Sequence, residues 1–227
     1  MKKKSPAGWK TIGDLGGSDP ETAWEIPQSA IAKERLKVYD KVHRVIIGSE
    51  CDSNGWDSTG NFRMRRIVDV DTGYVMARPS GFILRVNAIG SCIAVAAYDG
   101  TAKIAGMAHV MLPGRAPETA GHKTKYAVDA IEHMIELMLQ HGAKKSRIEV
   151  ALIGAGNVLC KKDDTICESN IKSVIATLAE TNIPVRTSSL GGRQRRSALL
   201  DTCTGCLSYT QGDGPVTLLW QFSDPNN

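Results

Sequence analysis

Phe82-Ile83-Leu84-Arg85-Val86-Asn87-Ala88-Ile89-Gly90-Ser91-Cys92-Ile93-Ala94-Val95-Ala96-Ala97-Tyr98 decides how this chain is read. Two short apolar runs, residues 82–86 and 92–98, flank the small residues Gly90 and Ser91. Each run is rich in Ile and Val and too short for a helix, so both read as strands, the second of them buried. Working upstream, residues 44–47, 64–68 and 74–77 are further strands, and Asp71-Thr72-Gly73 reads as the turn of a hairpin between the last two. A single Asp-Thr-Gly is a weak mark of an aspartic protease and is better read as that turn. Downstream, residues 148–153 and 185–190 read as buried strands. Asp201-Thr202-Cys203-Thr204-Gly205 reads as the turn of a hairpin joining residues 197–200 to 207–210.

Two helices stand out by period. Ala127, Ala130, Ile131, Met134 and Met138 recur at three and four and place one apolar stripe on a helix over residues 125–140. Its other face carries Asp129, Glu132, His133 and Glu136, a solvated surface on this reading. Ile171, Val174, Ile175 and Leu178 repeat the pattern on a second helix that Asn182 and Pro184 end. Strands outnumber helices and do not alternate strictly with them, which favours an α+β domain over a doubly wound sheet. Strand pairing is left open.

The chain has 227 residues, 42% of them apolar, enough for one domain with a substantial core. Residues 1–30 are rich in Lys, Gly, Ser and Pro without a sustained apolar period and read as a flexible extension, with a short helix expected at 31–39. The domain is expected over 31–212 and a tail over 213–227. No uncharged run reaches the length of a membrane span, and no apolar segment follows Met1-Lys2-Lys3-Lys4, so the expected location is the cytoplasm. The six cysteines, at 51, 92, 160, 167, 203 and 206, are too scattered for a disulfide framework and suit a reducing compartment. Cys203-Thr204-Gly205-Cys206 lacks a second tight pair, so neither zinc nor any other metal or cofactor is expected. The net charge of +4 is modest. Arg193, Arg195 and Arg196 have no interleaved aromatics, which argues for a solvated face or an acidic partner and against nucleic acid.

The chemistry centres on Cys92. It follows a glycine turn, and seventeen positions later His109 stands in Gly106-Met107-Ala108-His109-Val110-Met111-Leu112-Pro113. A thiol with one imidazole is the minimum equipment for nucleophilic acyl transfer, because the thiolate attacks and the imidazole moves the proton. Small residues at Gly90 and Ser91 let a carbonyl approach the backbone closely.

These blocks resemble the chemoreceptor glutamine deamidases of the CheD family. That family has a Leu-Gly-Ser-Cys-Val-Ala-Val type strand followed by Gly-Met-Ala-His-hydrophobic-Leu-Pro. Further similarities are Lys125-Tyr126 with the helix closing on His141-Gly142-Ala143, Ile153-Gly154-Ala155-Gly156-Asn157, and Ser189-Leu190-Gly191-Gly192-Arg193-Gln194-Arg195-Arg196. The resemblance covers about residues 43–212. It implies a single-domain, sandwich-like fold of mixed β-sheets flanked by helices, with Cys92 as nucleophile and His109 as base. Gly90, Ser91 and Asn157 would lie on the oxyanion and substrate side. The implied partners are the cytoplasmic helices of chemoreceptors and a CheC-type phosphatase. The alternative reading is an adaptor that binds and regulates such a phosphatase with little catalysis. Six residues before the cysteine, where the family often has threonine, this chain has Val86, so the expected orienter of the imidazole is the Val86 backbone carbonyl. Arg195 replaces a usual glycine, Ser189 an acid, and Ala155 and Gly156 exchange the order of two small residues.

Overall fold

The computed structural model describes residues 65–162 and 165–223. The expected extension over 1–30, the helix at 31–39 and the strand at 44–47 lie outside these residues. Among the described residues ten strands form two five-stranded sheets. The first contains β1 (Arg66–Asp69), β3 (Phe82–Ile89), β8 (Arg196–Asp201), β9 (Cys206–Gln211) and β10 (Thr217–Gln221), in the order β1-β3-β8-β9-β10. The second contains β2 (Val75–Pro79), β4 (Ile93–Asp99), β5 (Ile104–Val110), β6 (Ile148–Gly154) and β7 (Val185–Leu190), in the order β2-β5-β4-β6-β7. The pairs β1–β3 and β6–β7 are parallel and the others antiparallel. This is an α+β domain of two mixed, open sheets flanked by the helices α1 (Ala127–Gln140) and α2 (Thr165–Thr181).

Alternation along β4 explains the layering. Ala94, Ala96 and Tyr98 face Leu84, Val86, Ile89, Leu200 and Phe222 in a core between the sheets. Ile93, Val95 and Ala97 face Ile131, Met134 and Met138 in a second core, beneath the helices. Every residue of β4 and β5 is buried, because the second sheet is the middle layer. Burial on both faces removes the alternation that marks a half-wet strand, and β5, whose run is further interrupted by Gly106 and His109, is not separated from its surroundings by pattern reading. Gly106 allows the close seating of α1: a Cβ there would lie 2.6 Å from Met138 Sδ and 2.9 Å from Met134 Cγ.

The stripe expected on α1 is buried, and the helix ends where Gly142 takes φ +100° and the Ala143 N–H donates back to the Met138 carbonyl at 3.0 Å. On α2 the buried phase differs: Cys167, Asn170, Val174, Thr177 and Leu178 face inward, whereas Ile175 is exposed. The hairpin expected around Asp71-Thr72-Gly73 does not form. β1 and β2 belong to different sheets, so that turn carries the chain across the sandwich. β7 is not buried, because it is an edge strand whose polar run Arg186-Thr187-Ser188-Ser189 meets solvent. β10 falls within the stretch expected to be a tail, and Phe222 beyond it is 1% exposed in the core between the sheets. The β8–β9 hairpin forms as expected. No helix of the described residues is long and apolar enough to cross a membrane.

Candidate active site

The chain passes from the first sheet to the second through Gly90-Ser91-Cys92, between β3 and β4. A register shift between Val86 and Ile89 ends the regular pairing of β3 with β8, and within it Ala88 takes φ +54° and donates its N–H to Ser197 Oγ at 3.1 Å. Such a bulge bends a strand and re-aims the residues beyond it. The three carbonyls of the turn are then held by three donors: Gly90 O by the Gly156 N–H at 2.8 Å, Ser91 O by Asn170 Nδ2 at 3.0 Å, and Cys92 O by the Ala155 N–H at 2.7 Å. Because peptides are trans, carbonyls turned toward the scaffold leave the N–H groups of Ser91 and Cys92 pointing the other way.

Ala94 pairs with His109, and Cys92, just before β4, packs against the same core as Ala94, which puts it on the histidine's face of the sheet near the end of β5. Both side chains belong to the layer between the sheets. Cys92 is a free, half-buried thiol that packs against that core, and His109 is 5% exposed. His109 Nδ1 lies 3.2 Å from the Val70 carbonyl, an acceptor only, so Nδ1 carries the proton and Nε2 keeps the lone pair. The main chain of His109 is fixed as well, donating to the Tyr74 carbonyl at 3.0 Å and accepting from the Gly73 N–H at 2.9 Å.

Burial moves the two groups in opposite directions. It pushes the Cys92 thiol above its ordinary value, a rise partly offset by a hydrogen bond from the thiol's own backbone amide. It also pushes His109 below the usual imidazole value, opposed by the Val70 carbonyl and the negative charge of Asp71. At neutral pH the resting pair is therefore thiol and neutral imidazole. The arrangement suits concerted proton removal as a bond forms at sulfur.

The carbonyl that meets His109 Nδ1 is that of Val70, not the expected one of Val86. Val86 pairs with Ala198 and is fully buried between the sheets. Asn157 closes its own loop: Nδ2 donates to the Lys161 carbonyl at 2.7 Å and Oδ1 accepts the Lys161 N–H at 3.0 Å, while its backbone N–H donates to the Gly192 carbonyl. Its side chain thus shapes the loop over Gly90, where Val158 sits against the glycine. Arg196 does not belong to a solvated cluster. It is 5% exposed, with Nη1 donating to the Gly191 carbonyl at 2.7 Å and Nε to Ser189 Oγ at 3.0 Å, and so fixes the loop beside Gly154 and Gly156. Sequence reasoning missed Val70, whose contribution is a backbone atom with no side-chain signal. It also missed Asn170, whose signal was a polar residue in phase with Cys167 and Val174.

Cys203 lies apart from this pair. Its sulfur accepts the Gly81 N–H at 3.1 Å and the Ser80 hydroxyl at 3.2 Å, at the far end of β3. Among the described residues no three His, Cys, Asp or Glu side chains cluster as metal ligands do.

Comparison with known proteins adds three relatives and a family. Residues 111–211 match the family described as CheD chemotactic sensory transduction. A probable chemoreceptor glutamine deamidase CheD of Chlorobium luteolum is 37% identical over 156 residues, which span 68% of this chain and 78% of that protein. The Haloarcula marismortui protein of the same description is 36% identical over 125 residues, 54% of this chain and 72% of the relative. The chemoreceptor glutamine deamidase CheD of Thermotoga maritima is 32% identical over 144 residues, 63% of this chain and 90% of its own.

Proposed function

This chain belongs to the CheD family, and from that premise we propose that it hydrolyses glutamine side-chain amides of chemoreceptors to glutamate and ammonia, with Cys92 as nucleophile. The observation that carries the residue assignment is the shared face of Cys92 and His109 on paired chain segments, with the imidazole tautomer set by the Val70 carbonyl.

In the proposed cycle, Nε2 of His109 takes the thiol proton while sulfur attacks the amide carbon. The Ser91 and Cys92 N–H groups receive the oxyanion, which is what a turn with its carbonyls directed inward makes available. The imidazolium is supported by the Val70 carbonyl and by Asp71, and it returns its proton to the leaving nitrogen as ammonia departs. Water then adds to the thioester, His109 taking one of its protons, and collapse releases the glutamate side chain and the thiol. No metal or organic cofactor enters any step. The proposed setting is the cytoplasm, with the cytoplasmic helices of chemoreceptors as substrate. A pure adaptor of a CheC-type phosphatase would give no use to a thiol and an imidazole held in this way.

Intact-mass analysis of receptor cytoplasmic fragments tests the reading. Incubation with the protein is expected to add about one mass unit per modified glutamine, the exchange of NH₂ for OH, and Cys92→Ala protein is expected to add none. An unchanged mass with the wild-type protein, or a full gain with Cys92→Ala, overturns it.

A further inference from the structure

We propose that Asn170 is a positioning residue that sets the spacing of the Cys92–His109 pair; this inference rests on the catalytic reading of that pair given above. Asn170 is fully buried on α2, among the inward residues Cys167, Val174 and Leu178. Its Nδ2 donates both hydrogens, one to the Ser91 carbonyl at 3.0 Å and one to the Met111 carbonyl at 3.1 Å. Ser91 immediately precedes the thiol, and Met111 follows the imidazole by two residues. One amide group on a helix thereby joins the turn that carries the nucleophile to the end of the strand that carries the base.

The orientation of the amide is fixed, since a flip would set Oδ1 against two carbonyl oxygens. In this orientation Oδ1 is buried without a hydrogen-bond partner among the described residues. An orphaned buried oxygen is a cost, and an apolar residue here would continue the inward stripe of α2 without it. What the asparagine supplies in return is the bridge between Ser91 and Met111. The same helix grips the departing chain again, where Ser173 Oγ accepts the Gly114 N–H at 2.7 Å. α2 contributes no group to the chemistry, yet it holds both chain segments that do. Small misplacements of reacting groups cost large factors in rate, so loss of the bridge is expected to appear in turnover more than in affinity.

Asn170→Leu, of similar size and apolar, is the first test, and Asn170→Ala is the second should the larger side chain prevent folding. In folded protein, verified by circular dichroism and thermal unfolding, kcat on receptor fragments is expected to fall at least about tenfold with KM changed by less than about twofold. Iodoacetamide alkylation of Cys92 supplies a readout that needs no receptor. In otherwise wild-type protein, His109→Gln is expected to slow alkylation and alter its pH profile; in the Asn170 variant, adding His109→Gln is expected to change little. A folded variant that keeps kcat within about twofold and keeps the full effect of His109 on alkylation overturns the proposal. If the receptor is never deamidated, the function reading fails, and the alkylation comparison still decides whether Asn170 couples the pair.

Discussion

Cys92 and Cys203 are both half-buried free thiols in turns that leave adjacent strands of the first sheet, and they lie at opposite ends of β3. The turn at Cys203 sends the chain back into the same sheet, and its sulfur is tied to Ser80 and Gly81, a local use. The turn at Cys92 sends the chain into the other sheet, so its sulfur lies in the layer between sheets, on the face where His109 is held. Similar exposure and a similar turn thus lead to different surroundings, and the proposed chemistry falls to Cys92. What separates them is the element across from the thiol.

The largest expected effect breaks the comparison outright. Cys92→Ala should lower deamidation by a factor on the order of 10⁴ or more while leaving the circular dichroism spectrum intact. Retained turnover would remove the distinction between the two turns.

A glycine beside each turn gives the next test. At Gly154, φ is +127° and a Cβ would collide with the Cys92 carbonyl oxygen and lie 2.8 Å from Ile89 Cγ2. Gly205 beside Cys203 has φ +72°, and a Cβ there would lie 2.7 Å from Tyr98 Cε1. Both alanine variants should lose about 2–4 kcal/mol in urea unfolding. Only Gly154→Ala should also lose turnover per folded molecule, because the atom that must move is in the peptide of Cys92, the proposed nucleophile.

The pH dependence of stability sharpens the contrast further. The His109 imidazole is depressed below 6.5, so as pH falls through 6.5 the unfolded chain binds a proton that the folded one refuses, and stability declines down to the folded pKa. The Cys92 thiol is raised above 9.0, so as pH rises through 9.0 the unfolded chain releases a proton that the folded one keeps, and stability declines again. Chemical denaturation across pH should therefore show an acid limb reduced by His109→Gln and an alkaline limb reduced by Cys92→Ala. The smallest expected effect belongs to Cys203→Ala: turnover within about twofold and a stability loss of roughly 0.5–1.5 kcal/mol from the two hydrogen bonds at sulfur.

The sequence makes some of this legible and physics hides the rest. α1 is readable because half of its surface is wet, which leaves a stripe of period three to four from Ala127 to Met138. α2 reads with its phase displaced, because the position that continues the stripe at 170 is filled by asparagine and the exposed position 175 by isoleucine. Cys92 and His109 are legible as residue types. Their juxtaposition depends on the β4–β5 register, and short apolar runs do not specify pairing. The carbonyl that orients His109 is not legible at all, since every residue has one and only the crossing of the chain at residues 70–74 decides which carbonyl arrives.

The restraints on residues 90–92 come from residues 155, 156 and 170, the last 79 positions beyond Ser91. During synthesis at about 5–20 residues per second, roughly 4–16 s separate translation of Ser91 from that of Asn170. Throughout that interval the nascent chain carries an ordinary unpositioned thiol. On the proposed mechanism the nucleophile is armed only by the late arrival of distant backbone and α2, so in refolding experiments deamidase activity should return no earlier than the docking of α2, and a chain truncated before Asn170 should show none.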